Sequence, residues 1–306
     1  MKRKTHPLAC SSLSTQPNAA SLQLGYNHLS GTLPSELGTI HYLEQLVLSV
    51  NYLRGTIPDT FGELQALRIL ELDLNVMTGV IPTMFGQLSA LEYLSLWDNH
   101  FQGSIPTQLG NMVLLREFRA NTNLITGTIP TEVGTMSRMT VFDIGSNHLD
   151  GTIPTEFGLT ALESLKVGST GLSGSIPSEL AQCTGLGTIG LSSNDLVGTI
   201  PTQLGLLSSL RFVFFNNNKL TGTLPTEFGS LNNLESLQLQ ANHLEGDVPS
   251  ELGNLAGLKS LNLSVNSNLN GSIPEVICSL RTDQSLTTFI ASCDTCKVPS
   301  CCSQCA

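Results

Sequence analysis

The sequence predicts an α/β solenoid, a stack of short coils that each contribute one strand and one outer helical turn. Three observations predict it. The stretch Leu94-Ser-Leu-Trp-Asp-Asn-His-Phe-Gln-Gly-Ser-Ile-Pro106 returns after 24 residues in either direction, as Leu70-Glu-Leu-Asp-Leu-Asn75 and Phe118-Arg-Ala-Asn-Thr-Asn123. Eleven of the fourteen prolines share one phase, at 34, 58, 82, 106, 130, 154, 177, 201, 225, 249 and 274. An Asn recurs at a second fixed phase. A period of this length marks a repeat array in which each coil buries one layer against its neighbours. It also lets 306 residues fold without one oversized core.

Within a coil, the leucines of Leu-x-Leu point inward from a short strand and the residues between them face out, as a period of two requires. Strands of successive coils are expected to pair in parallel, about 4.8 Å apart. The chain then bends at Asn27, Asn51, Asn75, Asn99, Asn123, Asn147, Asn194, Asn218 and Asn242. A side-chain amide donates and accepts at once, so a column of them suits buried corner backbone groups. Thr170 interrupts the column, and Asn266 sits beside an inserted residue in Val265-Asn-Ser-Asn-Leu269, so both bends are expected to be irregular. A residue is missing in Phe157-Gly-Leu-Thr-Ala-Leu162. The Gly of Gly-x-Ile-Pro permits a tight or left-handed turn, and Pro fixes an extended segment where no amide donor is needed. Ser, Thr or Asp follows Pro, often with Glu or Gln next, the pattern of a side-chain-capped helical turn.

This Leu-x-Gly-x-Ile-Pro pattern resembles the plant-type subclass of the leucine-rich repeat family, over residues 22 to about 280. The resemblance implies a right-handed superhelix or horseshoe with a parallel sheet on the concave side and short helical or 3-10 turns on the convex side. It also implies a secreted or receptor-like ectodomain that binds a protein, peptide or glycan. A co-receptor, and a membrane-anchored full-length form with a kinase beyond the membrane, belong to the same expectation. The expected organisation is a degenerate N-terminal segment over 1–21, about eleven coils over 22–277 and a cysteine-rich cap over 278–306, the last similar to caps common in diatom repeat proteins.

The ends depart from the plant pattern. Met1-Lys-Arg-Lys4 looks like the start of a signal peptide, but the apolar core that should follow is missing, and so is a paired-cysteine cap. Two readings follow, a cytosolic protein or an N-terminally incomplete sequence, and the cysteines choose between them. Six of eight cysteines, Cys278, Cys293, Cys296, Cys301, Cys302 and Cys305, crowd the C-terminus. Cys293-x-x-Cys296 with Cys302-x-x-Cys305 is readable as a zinc site. An oxidised cap is favoured, because the intervening loop is short and Cys301 would be left over; its connectivity stays open. That cap argues for an extracellular or cell-surface protein. Cys183 falls in the register of Leu207 and is expected to be a buried thiol, while Cys10 has no evident partner.

The net charge of −10 disfavours nucleic acid and anionic lipid as partners. No apolar run is long enough to span a bilayer. No nucleophile motif, phosphate-binding loop or kinase signature occurs, so the reading is non-enzymatic, with no cofactor and no metal. His28, His100, His148 and His243 each follow a bend Asn, too far apart to share an ion. Asn262 and Asn270 head glycosylation sequons, which matter only for an exported chain.

The outward strand residues form the candidate binding face. Its most varied part contains Glu71, Asp73, Tyr93, Trp97, Asp98, Glu117, Arg119, Asn121, Asp143 and Lys166, of which Tyr93, Trp97, Asp98, Glu117, Arg119, Asn121 and Asp143 are the candidate ligand residues. Trp97, the sole tryptophan, reads as an exposed anchor, or equally as a surface aromatic packed over its neighbours. Arg119, Asp143 and Lys166 fall in one column, better explained as a charge ladder than as an ionic grip. Phe212 and Phe214 make a second apolar spot, with a core irregularity as the alternative reading. Two alternatives accompany the recognition reading: a structural or adhesive wall protein, and an ice- or crystal-binding protein. The last rests on Thr128, Thr152, Thr199 and Thr223 before Ile-Pro and Thr131, Thr155, Thr202 and Thr226 after it. Turn chemistry already favours hydroxyls at such positions.

Overall fold

The computed structural model describes residues 6–7, 20–270, 272–282, 286–291, 301 and 304–305. The chain divides into two compact units, residues 1–149 and 150–306. In the first unit, the Leu-x-Leu segments form the parallel strands Ser21–Gln23, Gln45–Val47, Ile69–Glu71, Tyr93–Ser95, Glu117–Arg119 and Val141–Asp143. Each pairs with the next in the 24-residue register, as Leu70 with Leu94 and Phe118 with Phe142. The second unit repeats the scheme from Ser164–Lys166 through Thr188–Gly190, Phe212–Phe214, Ser236–Gln238 and Ser260–Asn262 to Thr288–Ala291.

Each unit also carries a second parallel sheet that the repeat pattern did not announce. After each bend Asn, segments such as Val76–Val80 and His100–Gly103 in the first unit, and Asp195–Thr199 and Lys219–Gly222 in the second, pair in a ladder of their own. In the first unit this sheet begins at His6–Pro7, which pairs with Leu29–Gly31. Only one inward residue per coil serves this sheet, such as Phe101, too sparse an alternation to read as a strand. The glycine that follows turns the chain out of it: Gly103 has φ 74, where a side chain would be strained.

Pro then leads into a five-residue 3-10 turn, such as Thr107–Asn111. The expected side-chain cap is absent at every one of these turns. The proline itself occupies the cap position, and where a hydroxyl precedes Glu it points to that carboxylate instead, as Thr155 Oγ1 donates to Glu156 at 3.2 Å. The core is one layer per coil. Leu94, Leu96, Phe101, Ile105, Leu109, Met112 and Leu115 are all buried, and about 1.5–3 kcal/mol per fully buried large side chain makes this the main stabilising term.

The bends are nearly uniform: of the two expected irregularities, the one at Asn266 does not occur and the one at Thr170 does. Asn99 Nδ2 donates to the carbonyls of Leu96, Trp97 and Leu72, the last 27 residues back, and its Oδ1 accepts from Met77 N–H at 2.9 Å. Asn266 makes the same set to Leu263, Ser264, Leu239 and Leu244, because the inserted residue falls after it. Where Thr170 stands, its one hydroxyl proton has two acceptors in reach, Val167 O at 2.9 Å and Asn194 Oδ1 at 2.8 Å, and the latter oxygen gathers the amides of Thr170, Gly171 and Leu172. The missing residue is absorbed similarly. Thr160 takes an apolar site, donating to Phe157 O at 2.7 Å, and the buried Cys183 thiol donates to the same carbonyl at 3.2 Å.

The residue before each bend Asn lies in the left-handed region, with φ between 52° and 57°, although Val50, Leu74 and Val265 are poorly suited to it. Such a conformation costs about 1–2 kcal/mol. Val265 is 64% exposed and loses little packing if removed. Val265→Gly is therefore expected to raise the urea midpoint, with a net gain of about 0.5–1 kcal/mol after the extra freedom of glycine in the unfolded chain.

The cap also differs from a simple coil. Glu275–Thr282 forms an α-helix, and Cys278 is joined to Cys301, with Arg281 Nη1 donating to Cys301 O at 3.2 Å. The structure thus has an oxidised bridge at two of the six positions. The thiols of Cys293, Cys296, Cys302 and Cys305 lie outside what is described, as does Cys10.

Candidate functional site

The candidate residues fall in the first unit, on the solvent side of its Leu-x-Leu sheet. Because Leu94 and Phe118 are held inward, Tyr93 and Glu117 are brought side by side, as are Ser95 and Arg119. Two positions beyond the strand ends, Ser49, Asp73, Trp97 and Asn121 follow one another coil by coil. The amides of Val50 and Leu74 donate to Asp73 O and Trp97 O, both at 3.0 Å, which keeps that column in step.

Tyr93, Trp97, Glu117, Arg119, Asn121 and Asp143 are all half-buried. Trp97 is thus neither a freely exposed anchor nor a core residue. Asp98 is displaced from the set, because it occupies the left-handed bend position at φ 52. Arg119 does align with Asp143, but its guanidinium turns onto Glu117 in its own strand, with Nη2 2.7 Å and Nε 3.0 Å from Oε2. Arg119 therefore makes its hydrogen bonds within its own strand, since residues i and i+2 share a face and need no reach across strands, while Asp143 favours its charge from the neighbouring strand. Lys166 belongs to the second unit, where it is exposed.

Two features of the patch escaped the sequence. Asp73 is only 7% exposed, and Ser49 and Ser95 beside it are buried. A small polar residue on a strand gives no hint that its neighbours will cover it. Burial pushes the Asp73 carboxyl above its ordinary 3.8, against the lowering effect of Ser95, Ser49 and Arg119. Burial likewise pushes the Tyr93 phenol up, with Glu117, Glu71 and Asp73 adding to the effect. For Arg119 lost solvation opposes the charge, but the Glu117 hydrogen bonds outweigh it and hold the guanidinium above its usual range. Beside Tyr93 and Glu117 opens a recess of about 230 Å³, rimmed by Arg68, Glu92 and Arg116. Those three form a linked pair of ion contacts, Arg68–Glu92 at 2.7 Å and Arg116–Glu92 at 3.7 Å.

The raised Asp73 pKa has a stability consequence. The folded state holds that proton more tightly than the unfolded one, so stability is greatest below the unfolded value and falls as pH rises through the folded one. Asp73→Asn is expected to melt at a higher temperature than the parent at pH 7, with the difference shrinking as pH drops towards 3.8. Melting curves of both proteins across that range measure it.

No curated protein sequence matches the chain. The leucine rich repeat family profile matches residues 41–101, and again 209–231 and 233–255. Among solved structures, the leucine-rich repeat ectodomain of the Arabidopsis receptor kinase HAESA, in complex with an N-terminally extended IDA peptide hormone, aligns at TM-score 0.83 and 33% identity. That match covers 89% of this chain and 45% of the ectodomain. The plant peptide hormone receptor RGFR1, in complex with RGF2, gives 0.78 and 32%, over 89% and 46%. The chain is a leucine-rich repeat protein of the plant type. A plant ice-binding protein also matches, at TM-score 0.67 and 26% identity over 74% of each chain. The chain spans less than half the length of those two receptor ectodomains.

Elsewhere on this leucine-rich repeat protein, the remaining candidates separate from the patch. Phe212 and Phe214 lie in the second unit with rings parallel at 6.4 Å, and the Arg211 guanidinium stands 5.1 Å over Phe212. They are outward and half-buried, with Val213 between them in the core, so they are not a core irregularity. Asn262 is half-buried, its Oδ1 accepting from Ser264 Oγ of its own sequon at 2.8 Å, whereas Asn270 is exposed. The four bend histidines are exposed, and among the described residues no trio of His, Cys, Asp or Glu is placed to hold a metal ion.

Proposed function

We propose that this chain is a non-enzymatic, extracellular or cell-surface recognition module that captures a peptide on the sheet face around Trp97. The observation that carries the reading is the half-buried cluster of Tyr93, Trp97, Glu117 and Arg119. It joins two amphipathic rings to an ion pair already oriented on a rigid strand scaffold. Rings of that kind anchor partners at little cost in conformational freedom. A sheet face with free pleat positions suits an extended chain, whose alternate side chains can each meet a separate site. The peptide complexes of the HAESA and RGFR1 ectodomains support a peptide over a glycan, and a HAESA complex with the co-receptor SERK1 keeps a co-receptor and a membrane-anchored full-length form within the expectation. Panning a random peptide library on the immobilised chain tests it. Saturable, competable binders are expected. Their absence, with the fold intact, would leave the structural or adhesive reading.

A second reading has its own observation. In the second unit a groove of about 630 Å³ is lined by Thr152, Thr155, Ser175, Ser178, Thr199 and Thr202 with Ile153, Ile176 and Ile200 between them. Alternating hydroxyls and aliphatic groups suit an ordered water surface, and the plant ice-binding protein matches equal shares of both chains. Thermal hysteresis of the purified chain decides it, and a flat result removes this reading.

A further inference from the structure

Resting on the peptide reading, we infer that Asp73, with Glu71 in its own coil and Trp97 at the same position one coil on, is a site for one cationic side chain of the ligand, the ammonium of Lys or the guanidinium of Arg.

Asp73 is more than nine-tenths buried, yet no Lys or Arg pairs with it in any of the ion pairs among the described residues. The cation best placed to do so, Arg119, is held by Glu117 instead. The side chains acting on Asp73 at short range are hydroxyls, Ser49 and Ser95 from the coils on either side, and Arg119 acts on it through its charge alone. The Ser49 hydroxyl is spent on Glu71, donating to Oε2 at 3.1 Å. The Ser95 hydroxyl is fully buried; it favours the charge of Asp73 but reaches no partner at hydrogen-bonding geometry. A carboxylate taken out of water without a countercharge is a standing cost. Burial accordingly holds this carboxyl above its ordinary value. A structural role would not require the charge, since an amide would fill the same space.

The surroundings narrow the class of guest. Glu71, in the strand just before Asp73, adds a second carboxylate with only a hydroxyl on it. One coil on, Trp97 brings an indole to the next position in the column, and aromatic faces attract organic cations. Two carboxylates and serine hydroxyls fall short of a metal site, and no metal-holding trio occurs among the described residues. An ammonium or guanidinium needs one or two acceptors and an apolar wall for its stem, which is what Asp73, Glu71 and Trp97 supply.

The test pans one random peptide library, at pH 7, on the parent chain, on Asp73→Asn and on Asn232→Ala as an outer-surface control. The parent and the control are expected to enrich peptides with Lys or Arg at one fixed position, and Asp73→Asn to lose that enrichment. Peptides selected on the parent should bind Asp73→Asn at least tenfold more weakly. Analogues with norleucine at the basic position should bind both proteins alike, and melting curves keep misfolding apart from lost binding. Binders without a basic preference, or equal binding of basic peptides by Asp73→Asn, would overturn the pocket and leave the peptide reading standing. No binders at all from the parent would sink both.

Discussion

Trp97→Ala is expected to weaken peptide capture by about thirtyfold, because truncating a central aromatic anchor costs roughly 2 kcal/mol or more in affinity. The ring is half-buried, so the change also removes packing. A loss of stability of about 1 kcal/mol is expected from that fraction of a large side chain. The two effects separate cleanly by experiment. Peptide titrations far below the melting temperature report affinity, while the circular dichroism spectrum should stay that of the parent. Equal affinity for the same peptides would move the recognition surface elsewhere, most directly to Phe212 and Phe214 in the second unit.

Asn99→Ala is expected to lower stability by roughly 1–3 kcal/mol, since the substitution takes hydrogen bonds from groups that water cannot reach. The Met77 amide loses its acceptor, and the Leu72 and Leu96 carbonyls each lose one of two side-chain donors, keeping those of Asn75 and Asn123. Asn99 itself is 4% exposed. Asn232→Ala, on the exposed outer side, makes the comparison: no side-chain bond of Asn232 is involved, and its effect should be near zero. Urea melts of the two variants give the contrast, and equal midpoints would mean that the bend amides carry no net stability.

Much of this architecture was legible because its determinants are local and repeated. Leu-x-Leu fixes the inward face by periodicity alone, and Asn99 or Asn123 needs no knowledge of distant chain to be placed at a bend. The second sheet was not legible, since Met77 or Phe101 offers one inward residue per coil where alternation needs several. The capped turn was misread because Thr after Pro matches the composition of a cap, while Pro holds the geometric position. At the candidate site the same limit applies more strongly. The sequence placed Tyr93, Trp97, Glu117 and Arg119 on one face, which register alone determines. It did not reveal that Arg119 would hydrogen-bond to Glu117 in its own strand, or that Asp73 would be enclosed, because both depend on rotamers and on how neighbouring coils cover one another.

The bend amides give the array a direction. Each Asn reaches 27 residues back to the coil before it, and supplies the acceptor for an amide 22 residues back, but does neither for the coil that follows. A coil therefore completes its predecessor. Stripping coils from the N-terminal side of a unit leaves the next Asn with a hand extended into water, a change that solvent tolerates. Stripping them from the C-terminal side uncovers amides such as that of Leu53, whose acceptor is Asn75. Built from near-identical modules, the molecule still has a grain, and fraying should run more easily against it than along it.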